Sequence, residues 1–328
     1  MRRKSISYAK YGYIFSIPFV LAFLVFSLYP MIYTAIIGFT DLRGLGRRDF
    51  VFLENPFENF VSILNSPTFR TSLQNTFFIW IINFIPQILL ALLLTAIFTS
   101  RRHVVKGKGA FKVLFYMPNI ITAASIAILF SALFMHPTGP VNFMLESFHE
   151  YFNWPGEFRP YNFTVQRLPS QLIVAFIQFW MWYGYTMLIL ISGVMGLNPD
   201  MFEAADIDGA SSAQQFFLIT MPNLKTIMLF TLVTSLIGGL NMFDIPRLFN
   251  NGMPDNATLT TSLFIFNQAF MGSYMYNRAA AASMIMFVII ALLSAIIFYA
   301  LRDKEAIRQR RAEKAALKAI RESGGVAR

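Results

Sequence analysis

Three carboxylates, Glu203, Asp206 and Asp208, fall within six residues of a short polar segment, Phe202 to Pro222, that lies between two long apolar stretches. Carboxylates so close together do acid–base or metal chemistry when histidine or cysteine faces them. This chain has no cysteine, and its three histidines, His103, His136 and His149, share no metal-ligand spacing. Zinc and thiol chemistry are therefore effectively excluded. What the segment does carry is helix punctuation. Asn198 can cap a helix that begins at Pro199, with Asp200 in its first turn, facing the positive end of the helix dipole. Gly209 supplies the freedom to end that helix, and Ser211 with Gln214, or Ser212 with Gln215, fits a capping box that starts another. Pro222 then opens the next apolar stretch. Small residues, Ala204 and Ala205, let another backbone come close, and a capped knob transmits a push better than a slack loop. A docking element and an ordinary hairpin between two spans both fit these residues.

A second set of polar groups lies inside apolar stretches: Asn83 and Gln87, Gln178 with Trp182 and Tyr185, and Asn241 with Asp244. Polar side chains inside a span are costly unless they face a cavity or a neighbouring helix, so these seven are candidates for lining a solute path. Asn83 and Gln87 are four residues apart and share a helix face, as do Gln178 and Trp182, with Tyr185 close by. Amides and a carboxylate offer partners to hydroxyls, and aromatic rings offer stacking faces, the mixture a carbohydrate needs. Gly238-Gly239 and Pro246 loosen the helix around Asn241 and Asp244, as at broken-helix transport sites. The same residues also fit bridges between helices, a headgroup belt of Trp and Tyr, and a surface ion pair of Asp244 with Arg247.

The elements that must hold these groups follow from composition. Of 328 residues, 56% are hydrophobic and only 13% charged, with mean hydropathy +0.53, too apolar for a soluble domain of this length. Six stretches are long enough to cross a bilayer: roughly Tyr13 to Phe39, Thr76 to Phe98, Val113 to Met135, Leu172 to Val194, Leu224 to Ile245 and Ala280 to Leu301. An all-α membrane protein of six transmembrane helices is expected. Its parts are a cytoplasmic N-terminus (1–12), one transmembrane domain (13–301) and a basic cytoplasmic tail (302–328). The first stretch is too long for a signal-peptide core and reads as a retained helix.

Six spans put both ends on one side, and charge says which. Nineteen of the 27 Lys and Arg residues lie in the N-terminus, the 101–112 loop, at Lys225 and in the tail. The positive-inside rule places those segments, and with them the 202–222 loop, in the cytoplasm. This also accounts for the formal charge of +10 without a nucleic-acid partner. The tail fits a solvated topogenic segment, or a basic amphipathic helix on the inner leaflet.

Glu203-Ala204-Ala205, then Gly209, Ile219 and Met221-Pro222 resemble the EAA loop (198–222) of ABC-importer permeases. Met221 stands where that pattern has Leu, a change that preserves size and apolar character. Asn198-Pro199 with Phe202 through Ala210 is similar to the carbohydrate-uptake subfamily of maltose and oligosaccharide permeases. So are Tyr29-Pro30, Phe57-Glu58-Asn59-Phe60, Asn75-Thr76, Met117-Pro118, Gly139-Pro140-Val141-Asn142, Asn241-Met242-Phe243-Asp244 and Ala279 to Ala282. After the fifth span, Asn250-Asn251-Gly252-Met253-Pro254 departs from the family's Gly-Gly-Pro turn.

The resemblance implies the type I ABC importer permease architecture in the cytoplasmic membrane. It also implies a second homologous permease, two cytoplasmic ATPase subunits and an extracytoplasmic solute-binding protein as partners. Glu203, Ala204, Ala205, Asp206, Asp208, Gly209, Ala210 and Pro222 would form the ATPase-coupling element, and the transported solute would be a sugar. No GxxxxGK[ST] loop occurs, so ATP and Mg would belong to the partner ATPases, with no cofactor and no catalytic residue in this chain. A permease of the same architecture for a phosphodiester or phosphorylated polyol, with Arg247 or Arg278 on the path, is the alternative. A standalone carrier or channel is a third reading, for which no internal repeat is evident.

Overall fold

The computed structural model describes residues 9–102, 105–272, 274–302, 312, 315 and 316. His103, residues 1–8 and nearly all of the basic 302–328 segment lie outside them. The described chain is helical. Its membrane-length and short helices are α1 (Lys10–Ile37), α2 (Glu58–Asn65), α3 (Pro67–Thr99), α4 (Lys108–Ile120), α5 (Ala123–Leu133) and α6 (Pro140–Tyr151). They continue with α7 (Arg167–Met195), α8 (Pro199–Ile207), α9 (Lys225–Leu240), α10 (Asp244–Phe249), α11 (Thr261–Phe270) and α12 (Tyr276–Leu301). Among the described residues the β pairing is a single bridge between Thr40 and Phe52. Packing divides the chain into two units, Met1–Ser72 with Thr261–Ile289, and Leu73–Thr260 with Ile290–Arg328.

In the first unit, α1 is 28 residues long, or about 42 Å at the helical rise, enough for a hydrocarbon core of about 30 Å. It contains a π turn at Leu24–Leu28, where the N–H of Tyr29 donates to Leu24 O, five residues back. Pro30 follows at once. A proline ring crowds the carbonyl four residues before it and brings no N–H, and widening the preceding turn relieves both faults. The same arrangement recurs in the second unit, where a π turn at Gln215–Thr220 precedes Pro222 and the N–H of Met221 donates to Phe216 O. Beyond α1, buried Asn59 donates to the carbonyls of Gly38 and Thr40, both at 2.9 Å, and accepts from Asn277 Nδ2 at 3.0 Å. Phe69 meets Phe264 edge-on, ring centroids 5.5 Å apart.

The second unit is built around α7. Ile173, Val174, Ile177 and Met181 pack with Ile79 of α3, Ile126 and Phe130 of α5 and Ile245 and Phe249 of α10. Further along, Tyr183, Met187, Leu190 and Ile191 pack with Ala91, Leu94 and Phe98 of α3. Burying such a Leu, Ile or Met contributes roughly 1.5–3 kcal/mol in water, and less between helices in lipid, where packing replaces the hydrophobic effect.

The third apolar stretch, Val113 to Met135, is the sixth span when a bent helix pair counts as one. That stretch is two helices, α4 and α5, bent by 89°. Ile121 and Thr122 are extended, with ψ of 138° and 144°. Thr122 accepts the Ser125 N–H at 3.3 Å, which caps α5 as a new helix. Asn119 Nδ2 donates to Met181 O at 3.2 Å and ties the break to α7. The fifth stretch, expected to be loose near Asn241, is also interrupted. α9 stops at Leu240, residues 241–243 leave the helix, and α10 starts at Asp244.

Candidate functional site: a polar cavity and a capped loop on shared helices

The 198–222 loop is organised by its own side chains. Asn198 Oδ1 accepts the Asp200 N–H at 3.0 Å and starts α8. The helix ends at Ile207, and two residues on Gly209 has a φ of +75°, a left-handed conformation that costs glycine little and a β-branched residue much. Ser211 and Gln214 then form a reciprocal capping box, with the Ser211 N–H on Gln214 Oε1 at 2.7 Å and the Gln214 N–H on Ser211 Oγ at 3.3 Å. Of the two boxes open from sequence, this is the one formed. Helical structure from Ser212 passes through the π turn and Pro222 into α9 with only Leu224 between.

Ala205 is buried, whereas Glu203, Ala204, Asp208 and Gly209 are exposed. Two acidic side chains are paired within the chain. Glu203 Oε1 lies 3.2 Å from Arg101 Nη2, and Asp206 Oδ1 lies 3.5 Å from Arg102 Nε. Gln215 Nε2 donates to Asp206 Oδ1 at 2.6 Å, and so links α8 to the helix after the turn. The 101–102 loop and the 198–222 loop therefore meet, a contact that sequence reading missed although both were assigned to one side of the membrane.

The seven polar and aromatic span residues lie together. Asn83, Gln87, Gln178, Trp182, Tyr185, Asn241 and Asp244 all line one cavity of about 360 Å³ inside the second unit. That is within the range of small-molecule sites, roughly 300–1,000 Å³. Asn83 and Gln87 come from the middle of α3, Gln178 to Tyr185 from the middle of α7, and Asn241 and Asp244 from the break between α9 and α10.

Some amides are already engaged. Gln87 Nε2 donates to Thr186 Oγ1 at 2.8 Å and bridges α3 to α7. Asn83 and Asn241 each donate to a carbonyl of their own helix, Ile79 O at 3.0 Å and Ile237 O at 2.8 Å. The carbonyl oxygens of these amides can still accept. An ion pair of Asp244 with Arg247 is not found among the described residues. Arg247 donates to Asn251, and neither it nor Arg278 is on the cavity wall.

Sequence reading did not pick out Trp80, Thr231, Thr234 and Ser235, which line the same cavity. Trp80 reads alone as a headgroup-belt residue. The signal for the others was their recurrence at positions 231, 234, 235 and 238, one face of α9.

Among the described residues no group of three or more His, Asp or Glu side chains is gathered for a metal. Loop and cavity share two helices: α7 runs from Gln178 and Tyr185 to the start of the loop, and α9 returns from the loop to Thr231 and Gly239.

The chain is similar to known transport proteins along most of its length. The family described as binding-protein-dependent transport system inner membrane component matches residues 62–308. The lactose transport system permease protein LacF of Rhizobium radiobacter is 29% identical over 296 residues, 90% of this chain and 95% of LacF. The arabinooligosaccharides transport system permease protein AraP of Bacillus subtilis is 31% identical over 286 residues, 87% of this chain and 86% of AraP. A crystal structure of a bacterial alginate ABC transporter, in complex with a periplasmic protein bound to an alginate pentasaccharide, contains a chain of the same fold. It has TM-score 0.69 at 23% identity over 88% of this chain and 92% of that one. Matched over far more than half its length, and carrying the helices of a multi-pass membrane protein, the chain belongs to the binding-protein-dependent transport system inner membrane components, the permease subunits of ABC importers.

Proposed function

We propose that the chain is one of two permease subunits of a sugar importer and moves an oligosaccharide from an external binding protein into the cytoplasm by ATP-driven alternating access. The observation that carries this reading is the cavity, whose wall combines amides, hydroxyls, one carboxylate and the rings of Trp80, Trp182 and Tyr185. Ring faces stack on aromatics while hydroxyls bond to amides and carboxylate, so this wall suits a sugar. The relatives named for lactose and arabinooligosaccharides support the same class. Residues 13–301 act as one transport domain in the cytoplasmic membrane, with both termini and the 198–222 loop inside, on the strength of the Lys and Arg distribution.

In this reading Glu203, Ala204, Ala205, Asp206, Asp208, Gly209, Ala210 and Pro222 form the element that docks on one of two ATPase subunits. ATP and Mg are bound there and not here. Closure of the ATPase pair pushes α8, and the push passes through α7 and α9 to the cavity wall, a two-state rearrangement between inward-facing and outward-facing forms. The phosphodiester or phosphorylated-polyol alternative needs a cation on the path, and the cavity wall has none among the described residues.

The test is uptake of a panel of labelled glycans by cells lacking this chain and complemented with it. Loss and restoration of one sugar class supports the reading. Unchanged entry of every sugar, with a phosphorylated solute lost instead, overturns it.

A further inference from the structure

Among the described residues the cavity wall carries a single charged side chain, Asp244. The other polar groups on it are amides, hydroxyls and the indole N–H groups of Trp80 and Trp182, and no Lys, Arg or His is among the described residues that line it. The three ion pairs found among the described residues involve Asp41, Glu203 and Asp206, so none neutralises Asp244. Arg247, one turn further along α10, turns its guanidinium to Asn251.

A second feature points to a polyhydroxy guest. Thr231 also lines the cavity, is only 3% exposed, and its hydroxyl has no hydrogen-bond partner. A buried hydroxyl left unpaired is costly, and a solute hydroxyl would satisfy it.

We propose that Asp244 is a charge filter in this cavity, admitting neutral and cationic glycans and rejecting acidic ones. The proposal rests on the sugar-permease reading and narrows it. A carboxylate only accepts hydrogen bonds, so it holds the hydroxyls of a neutral sugar and the ammonium of an amino sugar. It repels the carboxylate of a uronate. With no cation on the wall, two like charges about 6 Å apart at an effective dielectric constant near 20 lose roughly a hundredfold in affinity. Water in the cavity screens part of this, and a discrimination of at least about tenfold is expected.

The test uses the complete membrane complex, this chain with its partner permease and ATPase pair, in lipid nanodiscs without the soluble binding protein. The binding protein's own selectivity is thereby removed. Binding of three probes of equal length is measured by calorimetry at pH 7: maltotriose, trigalacturonate and the trisaccharide of glucosamine. The expected result is binding of the neutral and cationic probes, with the acidic probe at least tenfold weaker. Asp244→Asn closes that gap by about tenfold, and Asp244→Glu, which keeps the charge and checks that the site still assembles, preserves it. Equal binding of acidic and neutral probes to the unaltered complex, or a gap that survives Asp244→Asn, overturns the filter and leaves the sugar reading standing. If no probe of any charge binds, the sugar reading itself fails and the filter falls with it.

Discussion

The indole of Trp80 lies against the backbone of Gly239, so closely that a methyl group added at Gly239 would stand 1.9 Å from Trp80 Cδ1. Both residues line the cavity, and Trp80 has little room to retreat: its Nε1 donates to Ser235 Oγ at 3.4 Å and its ring stacks on Phe84 with centroids 5.6 Å apart. Gly239→Ala should therefore destabilise the chain by about 1–3 kcal/mol, the usual cost of overpacking. The lower thermal midpoint should be accompanied by altered solute affinity. An unchanged midpoint and affinity would mean that the α3–α9 contact is looser than described.

The turn at Gly209 gives a second prediction. Its φ of +75° penalises a β-branched side chain by about 1–3 kcal/mol, whereas Asn adopts this region at modest cost. Gly209→Val should lower solute-stimulated ATP hydrolysis severely while Gly209→Asn retains most of it. Equal activity of the two variants would show that coupling does not depend on this turn.

Glu203 and Arg101 separate docking from stability. Their pair is exposed, with side chains 63% and 42% accessible, so it contributes only about 0–1 kcal/mol. Arg101→Gln should leave the thermal midpoint nearly unchanged. Glu203→Lys should insert normally and lose coupling to the ATPase, which co-purification with the ATPase subunits and their hydrolysis rate would report.

Asn75 makes a prediction about the 250–260 loop of the second unit. Buried at 1% exposure, its Oδ1 accepts from Arg167 Nη2 at 2.9 Å and Gln171 Nε2 at 3.0 Å, and its Nδ2 donates to Asn256 O and Leu259 O at 2.6 and 3.1 Å. Asn75→Ala removes all four bonds; Gln171 Nε2 keeps Ala257 O at 2.8 Å and Arg167 and Asn256 are exposed, so the cost falls mainly on the buried Leu259 carbonyl, and a loss of about 1–3 kcal/mol is expected. Limited proteolysis should then cut the 250–260 loop faster. A variant as resistant as the parent would rule the network out as the loop's anchor.

These contacts divide by how far the responsible chemistry reaches along the chain. The loop from Asn198 to Pro222 was readable because its caps act between residues two or three apart: Asn198 on Asp200, Ser211 on Gln214. The seven cavity residues were readable as costly polar groups in apolar helices, and helical spacing grouped them into faces.

Other features depend on neighbours far away in sequence. The 89° break within Val113 to Met135 leaves hydropathy unchanged, and its local signal, Thr122 three residues before Ser125, is short and easily hidden in an apolar run. Arg101 and Glu203 are separated by 102 positions, and Trp80 and Ser235 by 155, so neither pairing had a local trace.

The central claim is that a sugar crosses this cavity under control of the 198–222 loop, and uptake of the labelled sugar by the assembled importer tests it most directly. Wild type is compared with Trp182→Ala on the cavity wall and Glu203→Lys in the loop, after assembly of each complex is verified. The account expects uptake to fall at least tenfold in both variants, with apparent affinity changed in the first and ATP-coupled turnover lost in the second. Full uptake at unchanged affinity in both would contradict it.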